Sequence, residues 1–175
     1  GGRYGEESGP TYDDYRNPTL PGGGSGYSGV GGGVVQLNVA GACTINSGTT
    51  INANGSTAIG GGAGGTINLN CGSFTGSAGT NALTANGGST VNGSYSSGGG
   101  GRIALISKND GSTFTGSFNY ASSLSTFKST VKANGVASGP AFGAAGTIYI
   151  RHTGLTYGDL IVDNNSVVSN ATTIL

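Results

Sequence analysis

A glycine pair followed by alternating apolar residues recurs along the sequence, and this repeat constrains the fold more than any other feature. The copies lie at 32–39, 64–71, 100–107 and 145–152, with Ala-Gly replacing the glycine pair in the last. Side chains alternate across a strand, so copies stacked in register build continuous inward rows. The predicted core rows are Val35, Ile67, Ile103 and Ile148, and beside them Leu37, Leu69, Leu105 and Ile150.

Two further elements repeat within the copies. A short strand ending in Ala-Asn-Gly occurs at 50–55, 82–87 and 130–135, and Phe-Thr-Gly-Ser occurs at 74–77 and again at 114–117. A single copy cannot bury its own apolar face, whereas stacked neighbours can.

These repeats predict an all-β fold over residues 31–175, a parallel β-solenoid (β-helix) with irregular glycine-rich loops. The variable spacing of the copies leaves an antiparallel β-sandwich as the alternative. Intrinsic disorder, which the Gly/Ser/Asn bias also suggests, is disfavoured because the chain carries no high net charge.

Residues 1–30 differ from the repeats. They contain most of the prolines, several acids and several tyrosines, which predicts an irregular Gly/Pro/Tyr/acidic arm. A tyrosine has an apolar face and a polar tip, so these side chains could bind sugar, contact a second subunit or pack the arm onto the repeats. The tyrosines of the arm are Tyr4, Tyr12, Tyr15 and Tyr27.

The composition narrows the class of partner. Charged residues are 8% of the sequence, and seven Lys plus Arg balance seven Asp plus Glu. Nucleic acid and anionic membranes are therefore unexpected partners, because both need clustered positive charge. There is no apolar run long enough to span a bilayer, so we expect no membrane insertion. We expect any signal peptide to have been removed or to lie outside this segment.

The motifs also resemble a known group of proteins. Gly98–Ala104, Phe114–Ser117, Gly143–Ile150 and the arm segment Tyr15–Gly24 are similar to the Gly-rich repeats of very large predicted bacterial surface or secreted proteins. That resemblance implies a β-helix with a structural role at the cell surface, and it brings no catalytic residue with it. The two cysteines and the acidic arm depart from the pattern of these repeats.

Cys43 and Cys71 are the only cysteines. Two cysteines in a secreted chain suggest a disulfide, with two buried thiols as the alternative. In the repeat alignment Cys71 falls opposite Val39, so a bridge requires the chain to turn at Gly41.

Candidate ligands for a metal are few. The acids Glu6, Glu7, Asp13 and Asp14 could supply oxygen ligands to calcium, although a solvated acidic loop is the simpler interpretation. His152 is the only histidine and has no evident catalytic partner. We therefore expect no cofactor, with calcium as the one weak candidate.

Asparagine sequons provide candidate glycosylation sites, which matter only in a glycosylating source. Chance explains most of them in a chain this rich in Asn, Ser and Thr. They lie at Asn54, Asn92, Asn164 and Asn170.

These observations favour an extracellular or cell-surface structural protein, not an enzyme, that self-associates into a homopolymer such as a filament, sheath or adhesin stalk. The alternative is a carbohydrate-binding or polysaccharide-lyase-like β-helix, with glycans as partners. Lyases of that kind use grouped acids and a basic residue. Here the candidates are scattered: Arg102, Lys108, Arg151 and Asp159.

Overall fold

The computed structural model describes residues 13–110, 113–169, 171–173 and 175. Within them the chain forms ten short strands, a 3₁₀-helix over Gly116–Phe118 and helix α1 over Leu124–Thr130. The strands are β1 Val34–Asn38, β2 Ala42–Thr44, β3 Ile51–Asn52, β4 Thr66–Cys71, β5 Ser73–Thr75, β6 Leu83–Thr84, β7 Arg102–Ser107, β8 Val131–Lys132, β9 Thr147–Arg151 and β10 Asp159–Ile161.

The largest sheet has the order β1-β4-β7-β9-β10, and its first four strands run parallel. The register aligns the glycine-pair copies as the repeat predicts, so that apolar side chains of successive copies lie next to each other. Val35 pairs with Ile67, Ile67 with Ile103, and Ile103 with Ile148; Leu37, Leu69, Leu105 and Ile150 form the neighbouring row.

The predicted fold class is nevertheless wrong. The large sheet is mixed, because β10 turns back and pairs antiparallel with β9, and α1 lies in the segment between β7 and β8. The chain is therefore not the all-β parallel β-solenoid that the repeat predicts. The antiparallel β-sandwich is wrong as well, since the other strand pairs are parallel.

The departures have local causes. After β9 there is no glycine-rich spacer to carry the chain onward. Instead the Leu155 N–H donates to the carbonyl of His152 in a turn, and the chain reverses into β10. Helix α1 begins where the Ser123 side chain accepts a hydrogen bond from the Thr126 N–H, and it buries Phe127 against the core. Seven residues are too few to show a helical period in the sequence.

Two smaller sheets complete the core, one of β2 and β5 and one of β3, β6 and β8. The repeated Phe-Thr-Gly-Ser segments lie side by side, with the rings of Phe74 and Phe114 stacked at 5.0 Å between centroids. Gly76 and Gly116 have φ of 119° and 61°, so both turns need a residue that tolerates the left-handed region. The aromatic rings and the aliphatic rows form one continuous hydrophobic cluster.

Glycine allows the layers to approach closely where each strand of the large sheet begins. The Gly101 N–H donates to the Ala85 carbonyl at 2.7 Å, and the Gly65 and Gly146 N–H groups make the same bond to Ala53 and Ala133. A Cβ at Gly101 would lie 2.0 Å from the main-chain oxygen of Gly65. No side chain fits there, which explains why the sequence keeps glycine at this repeat position.

Cys43 and Cys71 form a disulfide with a Cα–Cα distance of 5.9 Å. The chain bends at Ala40–Gly41, which brings Cys43 on β2 beside the end of β4. The bridge thus joins the first copy of the repeat covalently to the second.

We expect Gly101→Ala to lower the free energy of unfolding by at least about 2 kcal/mol, because main chain rather than a flexible side chain blocks the added methyl. Gly33→Ala is the matched control, since Gly33 has the same repeat position but nothing lies within 4 Å of the point that a Cβ would occupy there. Urea denaturation of both variants measures the difference, and equal losses of stability would contradict the close-approach argument.

Replacing both cysteines with alanine should cost about 3–4 kcal/mol, because the bridge closes a loop with a sequence separation of 28. The measurement is the denaturation midpoint of the double variant compared with wild type. Wild-type protein under a reducing agent should show the same loss, and an unchanged midpoint would show that the bridge does not hold the first copy in place.

Candidate assembly surface

The strands β1, β2 and β3 all come from the first copy, and each is an end strand of its sheet. We call these three strands the leading layer. Its apolar residues are exposed where their equivalents in later copies are buried: Leu37 is 43% exposed, whereas Leu69 and Leu105 are 1% and 0% exposed. Ile51 and Cys43 are only partly buried against the core. Within the described residues, the core is therefore open to solvent at this end.

The leading layer also lacks the usual protection of an edge. Edge strands of soluble proteins commonly carry charged residues or prolines, which discourage pairing with another strand. The sequence has no charged residue between Arg16 and Arg102, and no proline lies in the leading layer. One charge reaches it from a later copy: Lys108 Nζ donates to the Asn38 side chain at 2.7 Å and to the Val39 carbonyl at 3.0 Å.

The opposite end of the large sheet is closed by β10. The Tyr120 hydroxyl donates to the Asp159 carboxylate at 2.9 Å, and Lys128 forms an ion pair with Asp163. Burial, together with the hydrogen bond and charge of Asp159, raises the pKa of Tyr120 to about 12. The phenol is thus neutral at physiological pH and holds its segment against β10.

Asparagine side chains link the Ala-Asn-Gly strands. The Oδ1 of Asn54 accepts from the Asn86 N–H at 2.7 Å, and the Oδ1 of Asn86 accepts from the Asn134 N–H at 2.8 Å. At the leading layer no earlier asparagine precedes Asn54 in this row, and its N–H donates instead to the Asn52 side chain at 2.7 Å. The row is thus terminated locally by a residue found only in the first copy.

The described part of the arm covers the outward face of the large sheet. The Asn68 amide donates to the Asn17 side chain at 2.9 Å and to the Pro18 carbonyl at 3.1 Å. The rings of Tyr15 and Tyr149 meet edge to face at 5.6 Å. This cover explains why Asn68, on the polar side of its strand, is only 3% exposed.

Asp13 fixes the shape of the arm. Its Oδ2 accepts from the N–H groups of Thr19 and Leu20 at 2.7 and 2.8 Å, and it lies 3.6 Å from Arg102 Nε. Burial alone would raise the pKa of this carboxyl. The main-chain hydrogen bonds and the charge of Arg102 outweigh burial, so the pKa lies below its ordinary value of 3.8.

The structure does not assemble the predicted calcium ligands. Glu6 and Glu7 lie outside the described residues, the Asp13 carboxylate is occupied as above, and Asp14 bonds to Arg16 at 3.0 Å. Among the described residues, no group of three or more His, Cys, Asp or Glu side chains could hold a metal ion.

The other candidate residues are also dispersed. His152 Nδ1 accepts from the Gly154 N–H at 3.2 Å, and its ring lies 6.4 Å from that of Phe114. Of the sequons, Asn92 is exposed, whereas the side chains of Asn54 and Asn164 accept main-chain hydrogen bonds. Asn170 lies outside the described residues.

One surface cluster had no signal in the sequence. The rings of Tyr27 and Tyr95 contact at 4.4 Å between centroids, and Ile59 and Val91 are exposed on adjoining copies beside them. These residues belong to different repeats and to no common motif, so only the fold brings them together.

Comparisons with protein-family models, with curated proteins and with solved structures find no match. Among the described residues, no helix has the length and apolarity of a membrane span.

Asp13→Asn should lower the free energy of unfolding by about 1–3 kcal/mol at neutral pH, because the carboxylate accepts charge-assisted hydrogen bonds. A depressed folded-state pKa means that this contribution is full above the unfolded pKa and is lost as the pH falls through the folded value. The variant should therefore lose less stability than wild type on acidification below about pH 4.

Denaturation curves across that pH range test this expectation. Asp14→Asn is the control, because its exposed pair with Arg16 contributes little. Identical acid profiles for wild type and Asp13→Asn would contradict the assigned role of Asp13.

Proposed function

We propose that this chain is an extracellular structural protein that associates with further copies of itself through the leading layer. The observation that carries the proposal is the open, uncharged edge of the first copy. Leu37 and Val34 are 43% and 39% exposed on an edge strand that lacks protective charges of its own. Covering these side chains removes apolar surface from water, which favours association.

The disulfide supports the extracellular location. Cys43 and Cys71 are bridged, and such bridges persist in oxidising environments such as the cell exterior. The bridge also ties β2 to β4, so the edge is presented on a braced rather than a free strand.

The role we propose is structural rather than catalytic. The basic and acidic residues of the lyase alternative make separate contacts: Arg102 with Asp13, Lys108 with Asn38, and Asp159 with Tyr120. A self-associating structural component of a cell-surface sheath or stalk requires no such grouping.

Sedimentation of the protein across a dilution series tests the proposal. We expect an assembly that dissociates on dilution, and we expect Leu37→Lys to weaken it by at least about tenfold, because a charge on an edge opposes strand pairing. Leu124→Lys is the matched control, since Leu124 is 49% exposed on α1 and lies outside the leading layer. A wild-type protein that stays monomeric at high concentration would refute the proposal.

A further inference from the structure

From the main-chain geometry of β1 we infer that two copies pair through this strand, antiparallel and about a twofold axis at Gln36, into a closed dimer. This inference rests on the proposed function and specifies its partner. It follows from which groups of β1 face outward, how the side chains alternate, and how the far end of the sheet is closed.

The directions of the β1 main-chain groups are fixed by its bonds to β4. The Gly33 carbonyl accepts from β4 at 3.0 Å and the Val39 N–H donates to β4 at 2.8 Å. Main-chain groups of alternate residues point to opposite sides of a strand. The N–H and C=O groups of Val34, Gln36 and Asn38 therefore point to the free edge.

An antiparallel partner can satisfy all of these groups at once. Centring the pairing on Gln36 places Gln36 opposite its own copy and Val34 opposite Asn38 of the partner. Each such pair exchanges two hydrogen bonds, which gives about six in all. A shift of the centre by one residue, to Val35 or Leu37, leaves about four, so the structure favours Gln36.

The same register keeps the side chains on their proper faces. Val35 lies opposite the partner's Leu37, and both point inward with the core rows. If the strands slipped so that an even-numbered residue lay opposite an odd-numbered one, apolar side chains would face polar ones across the junction.

The far end of the sheet explains why the second copy must offer its own β1. There β10 runs antiparallel and spans only Asp159–Ile161, with Asp159 carrying a charge bonded to Tyr120. Within the described residues, the uncharged five-residue edge is found only at β1. Pairing of like edges uses up both, so the assembly closes at two copies.

Cysteine crosslinking tests the register in the full chain. Gln36→Cys should form a disulfide-linked dimer under mild oxidation, because opposed residues of a hydrogen-bonded antiparallel pair have Cα atoms about 5.5 Å apart. Val34→Cys and Asn38→Cys should each crosslink poorly alone but form a heterodimer when mixed. Wild type, whose cysteines are already bridged, and Leu124→Cys are the controls and should stay uncrosslinked.

Sedimentation of the uncrosslinked wild type distinguishes the possible failures. A species of twice the chain mass that does not grow with concentration supports the closed dimer. Larger assemblies would overturn the closed pairing while leaving self-association intact. A dimer whose Gln36→Cys variant does not crosslink would overturn the register alone, and a monomer at all concentrations would overturn both proposals.

Discussion

The close approach of glycine main chains is the constraint on which the rest of this structure depends. At the start of each strand of the large sheet, a glycine N–H bonds to the alanine carbonyl of a neighbouring strand, and its Cα sits against the main chain of the preceding copy. The space left for a side chain is smaller than one methyl group at Gly65 and Gly101. Only with the copies this close can their aliphatic rows meet and exclude water.

The arm gives the sheet a second buried face. A sheet with polar residues on one side normally leaves that side in water. Here the arm lies across it and satisfies Asn68 and Thr66 with its own carbonyl and amide groups. The polar side of the repeat is thus a binding surface for part of the same chain, and Asp13 holds that part in shape through bonds to its main chain.

The sequence allowed the pairing register to be predicted, because a period of two and a repeated glycine pair leave few ways to align the copies. The reversal into β10 and the helix α1 were not predictable from the same pattern. Both occur where the copies degenerate, after Arg151 and between Phe114 and Val131, and there local turns and caps decide the path. The open edge could be anticipated from the missing charges. Its exposure and the contact of Tyr27 with Tyr95 depend on packing between copies.

The asparagine row has a consequence for chemical ageing. An Asn-Gly pair deamidates when the glycine nitrogen attacks the asparagine side-chain carbonyl carbon and forms a succinimide ring. In this fold the Gly55 and Gly87 nitrogens donate to carbonyls of the next copy at 2.9 and 2.8 Å, while the Asn54 and Asn86 side chains are held by bonds across the layers. Ring closure would require both sets of bonds to break. The stacking that joins the copies therefore also protects their most labile dipeptides, a useful property in a protein that must last outside the cell.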